Sequence, residues 1–217
     1  MPTPIAHSVA GIAAAATLAP RRKLDLPAVV LVSLLAILPD LDFLGGFLVG
    51  APHRFHRGPT HSILGIVLIA IIASPMLRRF ASTGQVDGRR AFLVAWGLGF
   101  AVLLTHLIAD AVMPDPGGGV GVPMLWPITN RQFSATLPLP EWLANALEIR
   151  FDGSTAWFLA TLFSARTAVV FLLEGLLFAP LLIVPVLVRR MIRGSAVPSP
   201  ESGSAGGVAH GKIPRSR

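Results

Sequence analysis

Residues 91–113 read AFLVAWGLGFAVLLTHLIADAVM, and this stretch decides the fold. No acidic or basic side chain other than His106 interrupts it before Asp110. A helix needs about 20 apolar residues to cross the hydrocarbon core of a bilayer. The 23 residues from Ala91 to Met113 meet that length, so a membrane-spanning helix is expected here. The polar pair comes only in its last turns. His106 and Asp110 lie four positions apart, which puts them on one helix face about a turn from each other.

Four further apolar segments surround it. They run over Ile5 to Leu18, Leu26 to Leu38, Ser62 to Leu77 and Thr167 to Val188. The last can also span. The first two are shorter and are expected to form a tight helical hairpin inside the bundle. Gly11 and the run Ala13 to Ala16 offer the small surface that lets helices approach closely in lipid. The expected fold is therefore all-α, a polytopic transmembrane bundle of about five helices with a metal site at one end. It occupies residues 1–193 as a single domain, and residues 194–217, low in hydrophobicity, read as a disordered tail.

Composition supports this class. Of 217 residues 53% are hydrophobic and 13% charged, with a mean hydropathy of +0.68. Soluble domains carry about 25% charged residues. Cysteine is absent, which excludes disulfides, thiolate zinc sites and a cysteine nucleophile. The N-terminal stretch lacks the positive region of a cleaved signal peptide and reads as a first helix.

The net charge of +7 is a topology signal rather than a nucleic-acid signature. Thirteen of the 18 basic residues fall in the segments Arg21 to Lys23, Arg78 to Arg90 and the tail from Arg189. If those segments face the cytoplasm, five spans follow with the N-terminus outside. The other side keeps Arg54, Arg57, Arg131, Arg150 and Arg166. No basic helix or nucleic-acid motif appears, so no nucleic-acid partner is expected. The long stretch Pro114 to Arg166 is expected to be functional, a lid being one example, with part of it, Pro140 to Ile149, as an amphipathic interfacial helix.

On that topology the polar residues gather. His7 lies near the outer start of the first helix, and Asp40 and Asp42 follow the outer end of the second. His53, His56 and His61 occupy the outer loop, with His61 at the mouth of the third helix, and His106 and Asp110 end the fourth. Every histidine except His210 therefore falls at the end opposite the arginine clusters. Imidazole nitrogen and carboxylate oxygen are ligands for Zn²⁺, Mn²⁺ or Fe²⁺. Two carboxylates as close as Asp40 and Asp42 repel unless a cation lies between them. The candidate metal ligands are His7, Asp40, Asp42, His56, His61, His106 and Asp110.

Plainer readings stand beside these. His7 alone is a helix-end polar residue, and His53 a surface one. His106 with Asp110 is equally a buried hydrogen-bonded pair. Asp40 and Asp42 are equally turn residues flanking a helix. Arg54 and Arg57 either snorkel to headgroups or grip a phosphate as a bidentate fork. Trp126 reads as an interfacial anchor. Glu174, deep in the fifth segment, reads as a structural partner of a neighbouring helix or as a proton relay. Thr60 and Ser62 orient His61 or begin the third helix.

AHSVAG at residues 6–11, LPDLD at 38–42, HRGPTHS at 56–62, HLIAD at 106–110 and LWP at 125–127 occur together in this order. With these motifs the sequence resembles the YdjM family of LexA-regulated inner-membrane metal-dependent hydrolases, over about residues 1–135. The family is itself thought to be distantly similar to zinc-dependent phospholipase C and the S1/P1 nucleases, whose His-x3-Asp helix pair is similar to His106 and Asp110. The resemblance implies a phosphoester substrate and zinc. The chain lacks the N-terminal Trp ligand and the denser His-rich helix of the nuclease group.

The function expected is membrane-bound hydrolysis at the outer face of the inner membrane. One to three divalent ions, zinc first with Mn or Fe as substitutes, activate water against a lipid or lipid-linked phosphoester. Asp42 is the expected base, and Arg57 neutralises charge in the transition state. Two other classes compete. A metal or proton transporter needs ionisable residues and broken helices at midspan, where only Glu174 lies. A non-catalytic membrane protein with a structural metal needs closed coordination.

Overall fold

The computed structural model describes residues 2–20, 24–81, 87–113, 121–135, 137–149 and 154–194. The tail, the Arg21 to Lys23 turn and the Gly117 to Gly119 run lie outside these residues. All five apolar segments are helical, and no strand forms among the described residues beyond one isolated bridge.

Helix α1 (Pro4–Leu18) opens with proline in its first turn, where a missing N–H costs nothing. Helix α2 (Leu26–Ile37) is capped by Asp25, whose Oδ1 accepts from the Ala28 amide at 3.0 Å. The chain does not leave the helical path at Leu38 as the sequence suggested. It tightens into a 3-10 turn at Leu38–Asp42 and continues as α3 (Phe43–Phe47). Pro39 has no N–H for a helical ladder, and this local break turns Asp40 and Asp42 out of register with α2. The whole run Leu26–Phe47 is 22 residues long and apolar enough to cross a membrane, so the second segment is not a short one.

Helix α4 (Ile63–Ala81) and helix α5 (Gly88–Val112) follow. After two short helices, α6 (Glu141–Ala146) and α7 (Thr155–Leu162), helix α8 (Ala165–Phe178) passes through a 3-10 turn at Ala179–Leu182 into α9 (Ile183–Gly194). Among the described residues, Leu26–Phe47, Gly88–Val112 and Ala165–Ile192 are long and apolar enough to span a membrane; Pro4–Leu18 and Ile63–Arg78 are shorter apolar helices.

Small residues place α1 at the centre. Ala6, Ala10, Ala13, Ala15 and Ala16 are buried as α1 packs on α2, α5, α8 and α9. A methyl group on Gly11 would lie 2.8 Å from the Ala36 Cβ and 3.1 Å from a Val102 methyl, so only glycine lets α1 come this near α2 and α5. The main core lies between α4 and α5, where Ile66, Ala70 and Leu77 meet Ala95, Leu103 and Leu107. The outer surface is also apolar: Leu26, Ile72 and Leu172 are 75%, 78% and 63% exposed. Leucine and isoleucine on the outside of a helix bundle fit lipid, not water.

The segment expected to be functional is folded against the bundle. Val122 and Phe133 form an antiparallel bridge, with a cis Trp126–Pro127 peptide in the turn between them. The Met124 carbonyl accepts from the Ile63 amide at 2.9 Å, at the start of α4. The Ala135 and Leu137 amides donate to Ala111 and Val112 at the end of α5, each at 2.7 Å. The interfacial helix expected over Pro140 to Ile149 is the six-residue α6, with Trp142 71% exposed.

Candidate metal centre

Four separate chain ends deliver the polar side chains to one place. His7 comes from the first turns of α1, Asp40 from the 3-10 turn after α2, His61 from the 3-10 turn Pro59–His61 before α4, and His106 with Asp110 from the end of α5. His7, His61, His106 and Asp110 are each 2% exposed or less. Asp40 alone keeps some contact with the exterior, with 12% of its side chain accessible.

The distances are those of a coordination shell. His7 Nε2 lies 3.5 Å from Asp110 Oδ1 and 3.8 Å from Asp40 Oδ2. His61 Nε2 lies 3.4 Å from Asp40 Oδ1 and 3.3 Å from Asp110 Oδ2. His106 Nε2 lies 3.5 Å from the same two oxygens. Most of these separations are longer than good hydrogen bonds. Ligands held tetrahedrally at about 2.0–2.2 Å from one ion sit about 3.3–3.6 Å from each other. His7, Asp40, His106 and Asp110 each bring a ligand atom within 4.8 Å of the others, and Asp40, His56 and His61 form a second such group.

The histidine tautomers sharpen this. His106 Nδ1 faces the Ala36 carbonyl at 2.7 Å, and a carbonyl only accepts, so that nitrogen carries the proton. His61 Nδ1 faces Asp42 Oδ2 at 3.2 Å and the Thr60 hydroxyl at 3.1 Å. Since the Thr60 hydroxyl donates to Asp42 at 3.0 Å, both neighbours accept from His61. In the neutral rings both Nε2 atoms are then lone-pair bearers, yet they are 3.1 Å apart. Two lone pairs at that distance need a cation, a proton or a metal ion, between or beside them. The carboxylate oxygens of Asp40 and Asp110, also buried and without hydrogen-bond partners, raise the demand. The donor set of imidazole and carboxylate fits a divalent ion of the zinc, manganese or iron type.

A proton can stand in for that ion at His61. Burial pushes its pKa down, but the surrounding carboxylates of Asp110, Asp40 and Asp42 outweigh burial and hold the value well above the usual one for histidine.

Asp42 lies one layer out. It accepts from the Arg57 amide at 3.1 Å, from Thr60 at 3.0 Å, from His56 Nδ1 at 3.0 Å and from His61. In metal sites an outer carboxylate in such a place fixes the ring and tautomer of the ligand imidazole, and Asp42 fixes those of His61. Arg57 itself has φ 58°, a left-handed conformation that costs a non-glycine residue about 1–2 kcal/mol. Its two anchors hold it there: the amide on Asp42, and the guanidinium on the Gly121 carbonyl at 3.2 Å. His56 stacks on Phe43, with ring centroids 3.9 Å apart.

The structure thus brings His7, Asp40, His61, His106 and Asp110 into one shell and sets Asp42, His56 and Arg57 against it. The His53 side chain and His210 lie outside the described atoms. The Ala36 carbonyl, the Gly121 carbonyl and Phe43 were not singled out by sequence reasoning. One signal existed for Ala36: Pro39, three residues on, has no N–H to give it in the 3-10 register.

A family model described as YdjM inner membrane protein matches residues 1–193, well beyond the last of the motifs and through α8. No curated protein and no solved structure matches the chain, those of the phospholipase C and nuclease groups included.

Proposed function

Since the chain belongs to the YdjM inner membrane protein family, we propose that it is a membrane-embedded, metal-dependent hydrolase of phosphoesters, with a lipid or lipid-linked substrate. The observation that carries this reading is the pair of His61 and His106 Nε2 atoms 3.1 Å apart, flanked by two buried carboxylates. The residues that would hold the ion are His7, Asp40, His61, His106 and Asp110, with zinc first and manganese or iron as substitutes. A divalent ion held there would supply Lewis-acid chemistry, making a water more acidic and polarising a phosphoryl oxygen.

The chain's own residues supply the rest. Asp42 orients His61, and with His56 it forms the outer wall where a second ion could be shared through Asp40. Arg57 sets a guanidinium beside this wall, suited to the charge of a phosphoryl group. Asp40, the most accessible of these five residues, marks the way in. The surface next to it is apolar: Leu41, Leu44 and Leu48 are 48%, 58% and 89% exposed. An amphiphile could keep its chains there while its head reaches the centre. The bias of basic residues supports an outer-face position for this end and a cytoplasmic one for the segment after Arg189.

The near-complete burial of the shell favours one other reading, a structural ion with no exchangeable water. Assay of the detergent-purified protein on generic phosphodiesters separates the two. Hydrolysis that disappears with a chelator and returns with zinc supports the enzyme. A full metal complement with no turnover of soluble or lipid phosphoesters supports the structural ion.

A further inference from the structure

Helix α8 carries a buried acid outside the metal shell. Glu174 is 1% exposed, and its Oε2 accepts a hydrogen bond from the Thr3 backbone amide. Thr3 is the N-cap residue of α1, and its own side chain caps nothing. The carboxylate therefore serves the start of α1, where unpaired amides and the helix dipole favour negative charge. The neighbouring residue fixes the approach of the two helices. A methyl group on Gly175 would lie 3.3 Å from an Ile5 side-chain carbon.

The turn held in this way is the one that presents His7. The His7 amide donates to the Thr3 carbonyl at 3.2 Å, so the residue gripped by Glu174 is bonded to the residue facing the metal shell. His7 needs such a support. His61 and His106 have their Nδ1 atoms fixed by Asp42 and Ala36, whereas neither ring nitrogen of His7 has a hydrogen-bond partner. Its ring is set by stacking on His106, with centroids 3.8 Å apart, and by the path of the α1 backbone. Metal-binding imidazoles otherwise take their orientation from a partner on the second nitrogen.

We propose that Glu174 is a positioning residue for the metal centre: by clamping the Thr3 amide it fixes the first turn of α1 and so holds His7 in the ligand set. This rests on the metal-centre reading above.

A double-mutant cycle tests it on the full chain in detergent, with Zn²⁺ affinity from chelator competition and the visible spectrum of the Co²⁺ form as readouts. Glu174→Ala should weaken Zn²⁺ binding on the order of tenfold, the low end for losing an outer partner of a ligand. It should also shift the Co²⁺ bands toward those of His7→Ala. Glu174→Gln, which keeps an acceptor for Thr3, should retain most of the affinity. In the His7→Ala background Glu174→Ala should change nothing further. Thr3→Pro gives an independent arm if Glu174→Ala does not fold. It deletes the donor at a φ of −81°, close to proline's own, and should mimic Glu174→Ala. Unchanged affinity in these variants, or an equal loss with and without His7, overturns the proposal. A wild-type protein that binds no metal instead removes the centre itself.

Discussion

His61 concentrates the chemistry of the site in one ring. Its Nδ1 is committed to Asp42 and Thr60, and its Nε2 to the space between Asp40, Asp110 and His106. A metal ion bound at this centre would compete with a proton for that nitrogen. Because the folded pKa is raised, protons compete up to higher pH than at an ordinary histidine. Metal affinity should therefore climb with pH through and above about 6.5. The metal-free protein should show the opposite trend. The stability it draws from protonated His61 is complete below the unfolded pKa and is lost as pH rises through the folded one. Asp42→Asn removes one of the charges holding that pKa up, so the midpoint of the metal-binding profile should move to lower pH. Zinc titrations by competition between pH 5 and 9 check this; a midpoint unmoved by Asp42→Asn contradicts the assigned hydrogen bond. At this scale the sequence was informative about residue type and poor about layer. LPDLD showed two carboxylates beside the candidate ligands. Which one faces the shell and which stands behind it follows from the 3-10 turn at Pro39 and from the left-handed Arg57, and neither conformation has a signature in composition or spacing.

At the scale of elements, hydropathy carried most of the information. The runs at 91–113 and 62–77 became α5 and α4 with ends displaced by a few residues, because long apolar stretches leave few alternatives in lipid. The second segment runs further than its composition implies: Pro39 and two aspartates resemble a terminus, yet Phe43–Phe47 resumes the helix. The stretch expected to be functional after Pro114 is anchored to the bundle where it is described, over residues 121–135 and 137–149. Its anchors are backbone hydrogen bonds to Ile63, Ala111 and Val112, which no side-chain pattern announces. The small face of α1 was legible through Gly11 and its alanines. It supports a specific expectation. Gly11→Val forces a side chain into contact with Ala36 and Val102, and such overpacking costs about 1–3 kcal/mol. Thermal unfolding in detergent should show a lowered midpoint, with a matching loss of metal affinity as α1 moves His7. A stable Gly11→Val protein would contradict the close packing of α1.

For the molecule as a whole, the separation of charge is the organising feature. Histidine and aspartate gather at the ends of α1, α2, α4 and α5 that meet, while Arg78, Arg89, Arg90, Arg189 and Arg190 belong to the opposite ends of their helices. That bias predicts the centre at the outer face and the arginine-bearing ends in the cytoplasm. Single cysteines introduced into this cysteine-free chain report it directly. Val49→Cys, in the exposed turn after α3, should be labelled by an impermeant maleimide from outside the cell, and Gly88→Cys only after permeabilisation. The reverse pattern would turn the centre toward the cytoplasm.

The central claim is that the buried histidines and aspartates hold a metal ion, and metal content tests it most directly. Protein purified without chelators and analysed by elemental mass spectrometry should carry at least one equivalent of zinc, manganese or iron, and His61→Ala with Asp110→Ala should carry none. A folded wild-type protein that stays metal-free after incubation with zinc, or a double variant that keeps its full complement, would contradict it.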